Sequence, residues 1–149
     1  MNTKMSLEEE RAKLIEIFSQ RAKKGTMPAN DAELLQPEFI ELTEEGLLTM
    51  KYPVLGWQSN QLGNLQGGII GSMMDLVFGA FGYVIFGCKP AATINMTTNY
   101  IRPVSLTENH LIIKTIFKGK GRRILYGESE AYNTKGKLSA TGSTNIIQL

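Results

Sequence analysis

The sequence predicts an α+β fold in which a strongly curved antiparallel sheet wraps around one long apolar helix. The helix is predicted over residues 66–86, which are apolar on nearly every side. The sheet is predicted from the second half of the chain, where segments of about ten residues alternate between apolar and polar side chains. A helix and strands of these lengths each run about 30 Å, so they can cover each other from end to end. Because a flat sheet would cover only one side of the helix, we expect curvature and a second subunit over the rest.

The composition limits the classes of function. The 149 residues are 42% apolar and 20% charged, which suits a single domain spanning residues 1–149 and excludes disordered, collagen-like and coiled-coil chains. The net charge of +2 gives no reason to expect a nucleic-acid partner. Glycine motifs of the P-loop and dinucleotide-binding types do not occur in the sequence.

Cysteine and histidine occur once each, as Cys88 and His110. A single cysteine cannot form an intrachain disulfide, so we expect a reducing compartment, the cytoplasm. Zinc sites need several Cys or His ligands at short spacing, so no metal site is predicted. A Ser-His-Asp triad would have to use His110. Catalysis is therefore expected from carboxylates, amides, hydroxyls and backbone dipoles.

The chain begins with a predicted amphipathic helix within residues 1–25. Ser6 and Glu9 have the spacing of a capping box, and Gly25 is the predicted end. Its apolar residues recur at helical spacing: Leu7, Leu14, Phe18 and Ala22. Because charged residues interrupt this segment, it lacks the apolar core of a signal peptide, and we expect it to dock on the domain.

Two short strands are predicted next, at Glu38–Glu41 and Leu47–Tyr52, after a polar connection of residues 23–36. The long helix follows. A membrane span over Ile69–Cys88 is an alternative, because its length approaches the roughly 20 residues that a bilayer requires. We favour a helix buried inside a domain, because Asp75 near the middle of this segment is costly in a membrane.

Four strands make up the second half of the chain. They are predicted at Thr93–Ile101, Leu111–Lys118, Ile124–Tyr132 and Leu138–Ile147. Short connections with turn-forming residues predict that successive strands are antiparallel neighbours, because a parallel crossover needs a dozen or more residues. In the first of these strands, alternation places Thr93 on the face opposite Met96, Thr98 and Tyr100.

Asp75 is the one charged residue of the long helix. At 100° per residue it shares a face with small residues: Gly68, Gly71, Ser72, Gly79 and Gly82. The opposite face is an ordinary core stripe: Ile70, Met73, Val77, Phe81 and Val84. Interior glycines cost about 1 kcal/mol each relative to alanine, so we expect another backbone or a ligand close to the Asp75 face. Asp75 is either a structural residue with a fixed hydrogen-bond partner or an active-site carboxylate.

Gln66, Gly67 and Gly68 occupy the predicted first turn of this helix. Backbone N–H groups there lack intrahelical acceptors, and the helix dipole makes this end partly positive. A substrate oxygen can approach two glycines directly, although a helix entry that needs tight turns would also use them. Gly68 and Asp75 lie roughly 10 Å apart along the axis, so two antiparallel subunits can bring both to one atom more easily than one subunit can.

These residues resemble the signature of hotdog-fold acyl-CoA thioesterases of the PaaI type. The pattern runs from Asn60 through the Gln66–Gly68 triplet to Asp75. Residues 93–104, TINMTTNYIRPV, and residues 136–144, GKLSATGST, resemble strands that follow in that family. The resemblance implies a curved sheet around a central helix, dimers that join their sheets, and active sites at the subunit interface.

The resemblance covers about residues 40–149 and also implies roles for particular residues. Asp75 would activate water or attack the thioester. Gly67 would donate its N–H to the thioester carbonyl. Asn60 would orient the nucleophile or the thioester, and Thr93 would hold the attacking water.

Gln66 departs from the family, which usually has histidine at this position. Glutamine donates and accepts hydrogen bonds but cannot gain a proton near neutrality. The first hypothesis is a homo-oligomeric hydrolase, either a dimer or a tetramer of two dimers, that cleaves acyl-CoA thioesters and needs no cofactor besides the coenzyme A of its substrate. The second hypothesis is a non-catalytic protein that binds acyl-CoA.

The coenzyme A contacts implied by the resemblance lie on a cationic hairpin and an adjoining strand. The hairpin turn comprises Lys118, Gly119, Lys120, Gly121, Arg122 and Arg123. Its four cations suit phosphates, although solvated surface charge is the other interpretation. The adjoining strand would contribute Asn95 and Tyr100. Trp57 and Met73 are the residues suggested to line the acyl pocket.

Overall fold

The computed structural model describes residues 4–21 and 31–149. Its helices are α1 (Leu7–Arg21), α2 (Asp31–Leu35) and α3 (Gly67–Ile85), with a 3-10 turn at Gly56–Gln58. Its strands are β1 (Glu38–Leu42), β2 (Leu47–Pro53), β3 (Ala91–Tyr100), β4 (His110–Lys120), β5 (Ile124–Tyr132) and β6 (Leu138–Gln148). The six strands form one antiparallel sheet that curves around α3, which is the hotdog architecture that the motifs imply.

The strand order across the sheet is β1-β2-β4-β5-β6-β3. As their short connections predict, β4, β5 and β6 are successive neighbours. The prediction that β3 and β4 are neighbours is wrong, because β3 pairs with β6. The connection between β3 and β4, residues 101–109, crosses the end of the sheet instead. There the Leu65 N–H donates to the Val104 carbonyl at 2.8 Å.

α3 is the core of the domain. Its span differs from the predicted one by a residue at each end, because Gln66 is the N-cap and Phe86 is the C-cap. Ten of its residues are buried, so most of its surface faces protein. Phe78 and Phe81 pack against Phe117 of β4, with ring centroids 6.0 and 5.4 Å apart.

Within the described residues, α3 is the helix that is long and apolar enough to cross a membrane, with a mean hydropathy of 1.6. However, 56% of that apolar window is buried inside the protein. The Tyr52 hydroxyl of β2 donates to the Met73 carbonyl in mid-helix at 3.0 Å. Burial raises the pKa of Tyr52 well above its ordinary value, so this hydroxyl keeps its proton. These are the surroundings of a core helix.

α1 begins at the predicted capping box. The Ser6 N–H donates to Glu9 Oε2 at 2.7 Å, and the Glu9 N–H donates to Ser6 Oγ at 3.3 Å. These bonds to Ser6 also lower the pKa of Glu9. Leu14 and Phe18 are buried in the core, so the helix docks by the predicted face. The predicted positions Ala22 and Gly25 lie outside the described residues.

α2 lies within the segment predicted as a polar connection, so that prediction is wrong for residues 31–35. Asp31 starts the helix, because its Oδ1 accepts the Ala32 N–H at 2.9 Å. Ala32 and Leu35 are buried, and tertiary packing of these two side chains stabilises a helix too short to form alone.

Candidate active site

An open groove runs between the exposed face of α3 and strand β3. Its volume is about 410 Å³. The residues that line it are Gly68, Gly71, Ser72, Asp75, Thr93, Met96, Thr98 and Tyr100. Asp75 is exposed in this groove, and its Oδ1 accepts a hydrogen bond from Thr93 Oγ1 at 2.8 Å. The carboxylate therefore has a fixed partner and an open side at once, with Oδ2 available to a further donor.

Thr93 reaches Asp75 because β3 contains a bulge. The register with β6 shifts between Thr93 and Asn95, so Ile94 is an additional residue. Strict alternation predicts that Thr93 and Met96 lie on opposite faces of the strand, and this is wrong. Thr93 bonds to α3, and Met96 also lies near α3, beside Gly71. The bulge thus turns the Thr93 hydroxyl toward the helix.

Glycine occurs at several α3 positions on or near the Asp75 face, and the structural reason differs from one position to the next. A Cβ on Gly67 would lie 3.0–3.3 Å from three ring atoms of Tyr100, and one on Gly71 would lie 3.6 Å from the Tyr100 hydroxyl. These two glycines therefore make room for the Tyr100 side chain. Gly79 meets nothing within 4 Å and lies open. Gly82 is buried beside Ile146, so it belongs to the core rather than to the groove.

The first turn of α3 leaves two backbone donors free. Gln66 Oε1 accepts the Ile69 N–H at 3.0 Å and so satisfies one donor of the helix end. A Cβ on Gly68 would lie 2.9 Å from the same oxygen, so glycine lets the Gln66 side chain fold back over the turn. The N–H groups of Gly67 and Gly68 have no acceptor among residues 4–21 and 31–149. Gly68 lines the groove and Gly67 lines a neighbouring cavity, so these donors are available to hold a partly negative oxygen.

Asn60 lies beside this turn and lines a second cavity together with Gly67. Its Oδ1 accepts the N–H groups of Leu62 and Asn64 at 2.9 and 3.1 Å, which closes the loop before α3. The Nδ2 group of Asn60 has no acceptor in the described part of the chain. Asn60 can therefore donate to a carbonyl oxygen, whereas its own oxygen is already occupied.

Within one protomer, the N–H donors at the start of α3 and the Asp75 carboxylate are too far apart to act on the same substrate carbonyl. Gly67 and Asp75 are eight residues apart on a straight helix, which is about 12 Å along the axis. Gly68 and Tyr100 lie at one end of the groove, and Asp75 and Thr93 lie at the other. Asn60 and Gly67 line the neighbouring cavity, which Tyr100 also borders.

The eight residues suggested to contact coenzyme A are also spread out within one protomer. The cationic turn, residues 118–123, lies near the C-terminal end of α3, beside Ile85 and Gly87, whereas Tyr100 lies at the opposite end. Lys118 forms an ion pair with Glu128, and their hydrogen bond raises the pKa of Lys118 and lowers that of Glu128.

Asn95 is held within its own sheet. Its Oδ1 accepts hydrogen bonds from the backbone N–H and the Nδ2 group of Asn145, both at 3.2 Å. Its amide oxygen is therefore already engaged on β6, and what remains for a ligand is its Nδ2 group.

The acyl-pocket suggestion is wrong for Met73, which is fully buried in the core and cannot line an open pocket. Trp57 is half-exposed on the 3-10 turn. Sequence reasoning missed Asp31, which lines a cavity together with Asp75 and Thr93. It also missed the apolar residues that two loops contribute to the Asn60 cavity, which no periodicity marks: Leu62, Leu65, Ile101 and Val104.

Comparisons with known proteins identify a family and a fold that this chain shares. The family model described as the thioesterase superfamily matches residues 62–140, which include Gly67, Asp75 and Thr93. No curated protein matches the chain.

Solved structures share the fold. Thioesterase superfamily member 2 from zebra fish is 19% identical, with a TM-score of 0.76 over 91% of this chain and 95% of that one. A phenylacetic acid degradation-related protein from Ralstonia eutropha is 24% identical, with a TM-score of 0.74 over 87% and 98%. A hypothetical thioesterase protein from Streptococcus pneumoniae, solved with coenzyme A, is 19% identical, with a TM-score of 0.68 over 75% and 87%.

Proposed function

The chain belongs to the thioesterase superfamily, and from this membership we propose that it hydrolyses acyl-CoA thioesters to a free acid and coenzyme A. The membership supports a thioester hydrolase. The coenzyme A in the similar pneumococcal structure supports the choice of acyl-CoA. The observation that carries the proposal is the hydrogen bond between Thr93 and Asp75, 2.8 Å long, on the open face of the central helix.

A second copy of the chain would complete the site. β3 is an edge strand that pairs with β6 only, within the described chain. Its ten residues include no charged residue and no proline, which are the features that usually protect an edge from pairing. An antiparallel pair of β3 strands about a two-fold axis at the strand midpoint puts Thr93 of one copy opposite Thr98 of the other. The Asp75–Thr93 pair of one subunit then lies next to Tyr100 and Gly67 of its partner.

The same pairing gathers the coenzyme A candidates. Arg123 accepts the Gln148 N–H, and Gln148 pairs with Ala91, so the cationic turn lies at the Ala91 end of the sheet. Antiparallel pairing brings that end to Tyr100 of the partner subunit. The cationic turn and Tyr100 of the partner subunit are then three strand spacings of about 4.8 Å apart, roughly 14 Å in all. The turn, Asn95 and the partner's Tyr100 then follow one path for an extended coenzyme A.

The proposed chemistry is hydrolysis by an activated water. Thr93 donates to Asp75 Oδ1, so Asp75 Oδ2 is free to take a proton from a water that the Thr93 oxygen also holds. The water oxygen attacks the carbonyl carbon, and the negative carbonyl oxygen is held by the Gly67 N–H and the Asn60 Nδ2 group of the partner subunit. The C–S bond then breaks, and Asp75 returns the proton to the leaving thiolate. A covalent acyl group trapped on Asp75 would instead assign it the role of nucleophile.

Thiol release from a panel of acetyl-, octanoyl- and phenylacetyl-CoA tests the proposal. The protein carries one cysteine, the half-buried Cys88, so a Cys88→Ser variant corrects for the thiol of the enzyme itself. We expect turnover with at least one of the three, and a molar mass in solution of a dimer or a tetramer. Thermal stabilisation by acyl-CoA with no thiol release would favour the non-catalytic binder, which the occupied Gln66 side chain suggests.

A further inference from the structure

Gln58 is a buried residue whose side chain keeps one hydrogen-bond donor unpaired. The residue is 1% exposed, and its Nε2 group has no acceptor among residues 4–21 and 31–149. An unpaired buried amide group destabilises the folded state, and most buried polar side-chain groups in proteins therefore have a partner. A methionine of similar length would avoid this destabilisation. The reason for a glutamine at this position therefore lies in the bonds that it does form.

The first of these bonds close the turn that ends at Gln58. Its Oε1 accepts the Leu55 N–H at 2.9 Å, and its own backbone N–H donates to the Leu55 carbonyl at 3.0 Å. Together they enclose the 3-10 turn Gly56–Gln58. The side chain of Gln58 thus holds the backbone of the turn in place from the buried side.

Gln58 also begins a short hairpin that ends at the N-cap of α3. Its carbonyl accepts the Gln66 N–H at 2.8 Å. The next residues inward, Ser59 and Leu65, pair in an antiparallel bridge. We call residues 58–66 the entry hairpin. Gln58 and Gln66 form its base, so the turn that the Gln58 side chain closes is also the support of the hairpin.

Both groups proposed to hold the carbonyl oxygen are attached to the entry hairpin. Asn60 lies within it, where its N–H donates to the Asn64 carbonyl at 2.7 Å and its Oδ1 accepts the Asn64 N–H at 3.1 Å. Gly67 follows the last residue of the hairpin directly, so the direction of the Gly67 N–H depends on the backbone of Gln66. A shift at the base of the hairpin therefore moves both donors at once.

We propose that Gln58 is a positioning residue for the hydrolysis, because its bonds fix the base of the entry hairpin and thereby the places of the Asn60 Nδ2 group and the Gly67 N–H. Gln58 is buried, so it acts through the hairpin and not on the substrate. A misplacement of about 1 Å in a catalytic site can lower the rate about 100-fold, so a rigid base is worth one unpaired donor. This inference rests on the proposed function, because it concerns the carbonyl donors assigned there.

Gln58→Met tests the inference with a side chain of similar size that neither accepts the Leu55 N–H nor leaves a donor unpaired. We expect kcat to fall at least about tenfold, since both carbonyl donors lose their fixed places. The melting temperature should not fall, because removal of the unpaired donor offsets the lost bond. Gln61→Met is the matched control, because Gln61 is exposed in the same hairpin, and it should leave kcat unchanged.

A binding measurement distinguishes positioning from a general structural role. S-Octyl-CoA is a thioether that cannot be hydrolysed and has no carbonyl oxygen, so its binding does not use the two donors. Its Kd should stay within about twofold in Gln58→Met, whereas kcat falls, as for an interaction made in the transition state. A lower melting temperature together with weaker S-octyl-CoA binding overturns the inference, because Gln58 would then only stabilise the fold. An unchanged kcat also overturns it.

Amide hydrogen exchange separates this inference from the catalytic proposal. In Gln58→Met, exchange within residues 58–66 should be at least about tenfold faster than in the unsubstituted protein, whereas exchange in β5 should not change. Unchanged exchange in the entry hairpin overturns the inference. Absence of thiol release in the unsubstituted protein contradicts the proposed hydrolysis instead, and the exchange measurement still decides whether Gln58 fixes the hairpin.

Discussion

Replacing Asp75 by asparagine removes one negative charge and little else. The side chain keeps its size, and the amide oxygen can still accept the Thr93 hydroxyl, which is the hydrogen bond that Asp75 forms in the structure. Asp75 is exposed and lies outside the buried core. We therefore expect the free energy of unfolding to change by less than about 0.5 kcal/mol, as for ordinary surface substitutions. The oligomeric mass should also stay the same.

Activity should respond very differently. An amide cannot take the proton of the attacking water, and a positioned general base contributes about 10²–10⁴-fold to the rate. We expect kcat to fall by at least about 100-fold, which corresponds to about 2.7 kcal/mol in the activation free energy. kcat and kcat/KM should fall together, because the lost interaction acts in the transition state.

Thiol release at saturating acyl-CoA measures this effect, and two controls define it. Glu41→Gln makes the same carboxylate-to-amide change on an exposed residue of β1, which is the edge strand opposite β3. It should retain full activity. Thr93→Ser should retain most activity and Thr93→Val should lose it, because only serine keeps the hydroxyl. Turnover of Asp75→Asn within tenfold of the unsubstituted protein would refute the role of Asp75.

Three further predictions concern stability and ionisation. Gly127→Ala places a Cβ 2.8 Å from two phenylalanine rings, so it should lower the free energy of unfolding by about 1–3 kcal/mol, measured by urea titration. Gly56→Ala is the control, because its Cβ would have no neighbour within 4 Å and should leave the free energy of unfolding unchanged. Gln66→Ala removes the cap of α3 and should cost about 0.5–2 kcal/mol by the same measurement; an unchanged midpoint would show that the cap bond contributes nothing. The hydrogen bond that the Tyr132 hydroxyl donates to Glu130 raises the pKa of Tyr132 to about 12. The stabilisation that this hydrogen bond gives the folded state is present at neutral pH and should be lost as the pH rises from about 10 to about 12. Tyrosinate absorbance should show this titration, and Tyr132→Phe should remove it.

Much of the fold was predictable because local patterns and long-range packing agree. The span of α3 followed from its apolar run, with Gln66 and Phe86 at its ends. The start of α1 followed from the Ser6–Glu9 box, whose reciprocal bonds need only neighbours in the chain. The bounds of β5 were also predicted, because its turn residues lie immediately outside Ile124–Tyr132.

The predictions that failed are those in which distant residues decide. The position of β3 beside β6 depends on which strand edges remain after the hairpins have formed. The crossing connection also depends on a bond between Leu65 and Val104, 39 positions apart in the chain. α2 forms because Ala32 and Leu35 pack into the hydrophobic core of the domain. Local propensity carries no information about any of these.

For the candidate site, the sequence by itself determined the chemistry that is available: one carboxylate on an apolar helix, glycines at the N-terminus of that helix, and an amide and a hydroxyl at fixed spacing. Covalent order and helical periodicity are enough for that. Only the tertiary structure decided the geometry, because the bulge in β3 turns Thr93 to Asp75 and the Tyr100 ring explains Gly67 and Gly71. A bulge arises from the pairing of two strands, and a ring over a helix arises from their packing, so neither is encoded in any local run of residues.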